Sequence, residues 1–87
     1  MSCNHIMAVL INHRTSNAPR VQEVLTKHGC TIKMRLGLHE TGEDFCSEEG
    51  LVILQICGSS EAIGALEADL NGLTGVKAKT ITLSFDE

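Results

Sequence analysis

The sequence predicts an α+β fold in which two helices lie on one face of a four-stranded antiparallel sheet. Three observations predict it. Residues 6–11 (IMAVLI) and 51–57 (LVILQIC) are apolar runs too short for long helices and too unbroken for strands with one wet face. They read as central strands covered on both sides. Residues 30–38 alternate instead, with Ile32, Met34, Leu36 and Leu38 on one side and Lys33 and Arg35 on the other, as a half-buried strand does. The apolar stripes Val21, Val24, Leu25, His28 and Ile63, Leu66, Leu70, Leu73 mark two helices, enough to cover one sheet face.

Taken in order, residues 6–12 form the first strand. Ser16 or Asn17 is placed to cap the first helix, with Pro19 in its opening turn and Gly29 as its stop. The alternating strand follows, then an acidic, turn-rich connection over residues 39–50. The second apolar run is the third strand. Gly58, Ser59, Ser60 and Glu61 open the second helix, a hydroxyl cap followed by an acid at the positive end of the dipole. Gly72 or Gly75 ends it, and residues 76–85 form the last strand.

Strand, helix, strand, strand, helix, strand is the βαββαβ order of the ferredoxin-like sandwich, here a single domain over residues 1–87. Right-handed crossovers put strands one and three in the middle and two and four at the edges. The expected edge strands carry Lys33, Arg35, Lys77 and Lys79, which discourage uncontrolled pairing. The last strand changes phase: Val76 and Ala78 share one parity, Ile81, Leu83 and Phe85 the other. Either a bulge near Lys79-Thr80 resets it, or the final residues face the helix-free side. On the second reading they join half of each central run in an apolar surface larger than monomers usually leave bare. Covering it at roughly 25 cal/mol per Å² stabilises by about 10 kcal/mol gross, before association costs. The expected partner is a second copy, giving a dimer that can extend to a tetramer through the sheet.

Composition narrows the functions. Seven basic against eleven acidic residues leave no dense cationic patch for phosphates, and two phenylalanines without Trp or Tyr give no stacking row, so no direct nucleic-acid partner is expected. No segment reaches the roughly 18 apolar residues of a membrane span, and the N-terminus lacks a secretory pattern. The expected location is cytoplasmic, where Cys3, Cys30, Cys46 and Cys57 are reduced thiols and Cys57 serves as a small core hydrophobe. No cofactor and no catalytic constellation is expected, so the chain reads as a non-enzyme.

Asn12, His13, Arg14, Thr15, Ser16 and Asn17 form the candidate ligand-binding segment: a cation, an imidazole and several hydroxyl or amide groups beside a helix start, which attracts carboxylates and phosphates. A capped polar loop explains the same residues. An alternative metal set is His28, His39 and Cys46. It lacks the paired spacing of strong metal motifs, and the acids around His39 and Cys46 equally suit a solvated hairpin.

Met34-Arg35-Leu36-Gly37, Ala62-Ile63-Gly64-Ala65-Leu66, then Leu70, Leu73 and Gly75-Val76-Lys77-Ala78-Lys79-Thr80 give the chain a family resemblance. It resembles the small iron-only hydrogenase system regulators, which are similar to ACT domains and to the C-terminal domain of the nickel-responsive repressor. The resemblance implies a non-enzymatic regulatory domain of an anaerobic bacterium that assembles through its sheet and binds a small effector between subunits. The chain departs from the ACT pattern in lacking glycine after the first strand. It departs from the nickel repressor in lacking alternating histidines.

Overall fold

The computed structural model describes residues 3–38 and 49–85. Its elements follow the expected order: β1 (His5–Ile11), α1 (Arg14–Lys27), β2 (Ile32–Leu38), β3 (Gly50–Ile56), α2 (Ser60–Asn71) and β4 (Val76–Thr82). The sheet is antiparallel in the order β2-β3-β1-β4, so the two apolar runs are central. This is the ferredoxin-like fold with both helices on one face.

Opposed residues in the register sort the side chains into two layers. Met7 faces Leu54, and Val9 faces Val52 and Ala78, beneath the helices. There Val21 and Leu25 of α1 and Ile63, Leu66 and Leu70 of α2 close a core in which Met7, Val9, Leu54, Ile56, Leu66 and Leu70 are fully buried. The alternate residues Ile6, Ala8, Leu10, Leu51 and Ile53 point away from the helices.

The register decides between the two alternatives for the last strand and corrects the expectation for the second. β4 pairs with β1 without interruption from Val76 to Thr82, so no bulge resets its phase. Ile81 faces Ile6 on the helix-free side, and Thr80 turns toward α2, where its hydroxyl donates to Glu67 (2.9 Å). The irregularity lies in β2 instead, between Ile32 and Met34. It breaks the clean alternation: Ile32 joins the core, while Met34 and Leu36 face the open side. An extra residue in one strand shifts every later side chain to the other face. Arg35 consequently lies on the helix side, where it donates to Gln22 Oε1 (2.7 Å).

α1 also begins earlier than expected. His13, not Ser16 or Asn17, is the N-cap, and it adopts a left-handed conformation (φ 49°, ψ 56°). Pro19 therefore falls within the second turn, where a ring without an N–H weakens a helix. Side chains hold the additional turn: Ser16 Oγ donates to the His13 carbonyl and Asn17 Nδ2 to the Asn12 carbonyl (2.6 Å). Gly75 makes room for this knot. Its φ of 81° suits glycine, and a Cβ there would sit 2.8 Å from Asn17 Nδ2. α2 is capped as expected, Ser59 Oγ accepting from the Ala62 N–H (3.1 Å), with Gly72 at its C-cap.

Two features lock the sheet's borders. Asn71, the last residue of α2, accepts from the Ala78 N–H (2.8 Å) and donates to the Ala78 carbonyl (2.9 Å). It thus occupies both outward backbone groups of that β4 residue. At the opposite end of the sheet, Cys3 and Cys57 are joined by a disulfide. This corrects the expectation of reduced thiols: pairing of His5 with Ile56 at the end of the β1–β3 ladder brings the residues just beyond it close enough to be bridged. Bridging residues 54 apart constrains the unfolded chain, an effect of about 2–5 kcal/mol. Cys30 is free and exposed. Among the described residues no helix is long and apolar enough to cross a membrane.

Candidate functional site

The helix-free sheet face is the largest chemical anomaly of the described surface. Leu10 (42%), Met34 (49%), Leu36 (51%) and Ile81 (57%) are substantially exposed on it, and Leu83 and Phe85 follow at the end of β4. Half-buried Ala8, Leu51 and Ile53 fill the space between them. Ile53 is central, paired with Ala8 on one side and Leu36 on the other. Lys77 and Lys79 flank this surface from β4, opposite Leu10 and Ala8. Together with Ala8, Leu10 and Leu51 they line a shallow depression of about 320 Å³. The strands generate this face by simple parity, since a pleat sends every second residue away from the helices.

On the helix side, a cleft of about 270 Å³ opens between the start of α1 and strands β2 and β3. Arg14, Gln22 and Arg35 bring its polar groups, with Ile11, Val21 and Val52 at its base. Glycines shape it. Gly37 has open space where a Cβ would stand, and the Arg14 stem crosses Gly50 so closely that a Cβ there would lie 2.9 Å from Arg14 Cδ. Arg14 is half-buried in consequence.

The candidate segment 12–17 leads into α1 and forms its first turn. Its groups are partly committed to one another. The His13 N–H donates to Asn12 Oδ1 (3.0 Å), the Asn12 N–H to the Gly75 carbonyl (2.7 Å), and Ser16 and Asn17 make the bonds given above. Of the six residues only Arg14 lines the cleft. Gln22 and Arg35 were not singled out from the sequence as site residues. Arg35 could have been noticed as a cation that the β2 irregularity would turn inward, but nothing in the sequence marks that irregularity.

The alternative metal set does not come together among the described residues. His39 and Cys46 lie outside them, as does most of the acidic connection. His28, at the C-cap of α1, reaches across to α2, its ring N–H donating to Asp69 Oδ2 (2.7 Å), and Lys27 Nζ adds a second contact (3.3 Å). No group of three metal-ligating side chains occurs among the described residues.

The His28 hydrogen bond, followed by that of Lys27, holds the Asp69 carboxyl below the usual carboxylate range. A carboxyl acidified by folding stabilises the native state fully above its unfolded pKa. That stabilisation is lost as the pH falls through the lower native value. Asp69→Asn is therefore expected to flatten the fall of thermal stability below about pH 4, with little change in the slope at neutral pH. Paired melting curves across the acid range measure this. An unchanged acid slope in the variant would deny the link between α1 and α2 that role.

No family model matches the chain, and no curated protein does. Solved structures do. An uncharacterized protein from Thermotoga maritima is 24% identical, with a TM-score of 0.77 over 92% of this chain and 95% of its own. CPII, a nitrogen regulatory PII-like protein from Thiomonas intermedia K12 bound to ADP, AMP and bicarbonate, superposes with a TM-score of 0.57 at 12% identity, over 92% of this chain and 91% of its own. A candidate PII-like signaling protein from Thermus thermophilus gives 0.61 at 13% identity, over 91% of this chain and 85% of its own. The ferredoxin-like fold of this chain is thus shared with these structures. At these identities the likeness is one of architecture.

Proposed function

We propose that the chain is a non-enzymatic regulatory module of the cytoplasm. It assembles as a homodimer, extendable to a tetramer, through the helix-free sheet face, and it responds to a small effector. The carrying observation is the row Leu10, Met34, Leu36 and Ile81, large apolar side chains standing about half exposed on one continuous surface. A second copy is the fitting occupant, because an antiparallel sheet face of this kind is matched by its own symmetry mate. With Ala78 already satisfied by Asn71, β4 is a poor border for strand addition, which favours contact through the face.

The effector is assigned to the cleft beside Arg14 and to that residue's neighbours in sequence, Asn12, His13, Thr15, Ser16 and Asn17. Two arginines at one cleft suit an anion. The ADP, AMP and bicarbonate bound by CPII support an adenine nucleotide or a small carboxylate-like anion as the class to try first. The target of regulation is read from the sequence resemblance alone, which points to the iron-only hydrogenase system of an anaerobic bacterium.

Sedimentation equilibrium at micromolar concentration is expected to return at least twice the 9.4 kDa chain mass. A thermal-shift panel of ADP, AMP, bicarbonate and amino acids is expected to raise the melting temperature with an anionic member, and Arg14→Ala to abolish that rise. A monomer mass rejects the assembly. A flat panel rejects the effector.

A further inference from the structure

Neither Cys3 nor Cys57 lines the cleft or belongs to the exposed apolar side chains of the sheet face, and the neighbours of the pair give it a role of its own. Cys3 is exposed, whereas Cys57 is only 8% exposed. The short segment that Cys3 begins is held from both sides of β1. Toward β3, the disulfide is joined by a hydrogen bond from Gln55 Nε2 to the Cys3 carbonyl (3.2 Å). Toward β4, the Leu83 N–H donates to the Asn4 carbonyl (3.1 Å), and the Asn4 side-chain amide donates to the Leu83 carbonyl. His5 Nδ1 and Thr82 Oγ1 meet one step further in (2.8 Å). The covalent bond thus anchors the segment that in turn positions Leu83, an apolar residue next to the open sheet face.

We propose that Cys3 and Cys57 form a thiol–disulfide exchange site whose redox state sets the order of the Leu83 end of β4 and, through it, the strength of sheet assembly. The proposal rests on the cytoplasmic, sheet-assembled reading, since a disulfide in a reducing compartment serves redox chemistry more often than bracing. The co-reactant is a thiol or dithiol reductant. Its thiolate attacks the sulfur of Cys3, the exposed residue of the pair, forming a mixed disulfide, and Cys57 leaves with the electron pair and takes up a proton. A second thiolate then attacks the reductant's sulfur. The reductant is oxidised to its disulfide, and Cys3 is released as a thiolate that protonates. Both cysteines are then thiols, and only hydrogen bonds hold Asn4 against Leu83.

The test uses the full chain equilibrated in oxidised or reduced dithiothreitol, with three readouts: alkylation by mass spectrometry, hydrogen exchange at Leu83, and self-association by sedimentation. In oxidised buffer Cys3 and Cys57 are expected to resist alkylation while Cys30 labels. Reduction is expected to open both, speed Leu83 exchange, and raise the self-association Kd about tenfold. Cys3→Ser should behave as reduced protein in both buffers, and Cys30→Ser should follow the wild type. Labelling of Cys3 and Cys57 in oxidised buffer, or equal Leu83 exchange in the two states, overturns the proposal. A chain that is monomeric in both buffers defeats the assembly reading instead, while the Leu83 exchange still decides whether the disulfide controls that end of the strand.

Discussion

Ile53→Lys is expected to raise the self-association Kd at least about 100-fold while leaving the melting temperature of the isolated domain nearly unchanged. Ile53 sits at the middle of the helix-free face, between Ala8 and Leu36, and contributes nothing to the core under the helices. In a lone domain the lysine can extend its ammonium into water, so folding is barely taxed. In the assembly two copies would bury two like charges among leucines and isoleucines without partners, a cost of several kcal/mol. Sedimentation and a melt of the same sample separate the outcomes. Wild-type association by the variant would show that this face is not the joint.

Leu54→Ala, one residue further along β3, is expected to do the reverse. Leu54 is fully buried, faces Met7 across the ladder and lies beneath both helices. Deleting its branched end leaves a cavity in a small core, a loss of about 3 kcal/mol. For a domain of this size that lowers the melting temperature by roughly 12–24 °C. Urea titration checks it through a lower midpoint at an unchanged slope. A shift of only a few degrees would mean that the helices are not closed over β3. Adjacent residues of one strand thus separate assembly from folding, because their side chains leave the pleat in opposite directions.

The same pleat explains what could be read without coordinates. The doubly apolar runs identified the central strands, since only side chains shielded on both faces can stay uniformly greasy. Ile81, Leu83 and Phe85 showed that the last strand left its parity, but not whether a bulge or an open face was responsible. Both alternatives satisfy the same pattern, and only the register with β1 separates them. The β2 irregularity left no trace at all. Ile32, Met34 and Leu36 alternate so regularly that Arg35 reads as a residue on the opposite side of a plain strand, and nothing foretells that it stays exposed on the helix side, bonded to Gln22.

The disulfide was misread for a different reason. A cytoplasmic compartment implies thiols, while the proximity of residues 3 and 57 depends on how β1 and β3 are paired. The segment 12–17 reads as a polar loop ahead of α1, whereas residues 14–17 already form the helix's first turn. Its internal bonds and the glycine-shaped cleft beside it depend on Gly37, Gly50 and Gly75, whose significance lies in the side chains they lack.

The carboxamide of Asn71 has a consequence for growth as well as for folding. Since it occupies the outward N–H and carbonyl of Ala78, an incoming strand finds no vacant ladder at that position. Head-to-tail stacking of copies into an endless ribbon needs two receptive rims, and on the β4 rim Asn71 obstructs pairing at Ala78. Joining through the β2 rim, like rim to like rim about a twofold axis, would stop at a pair.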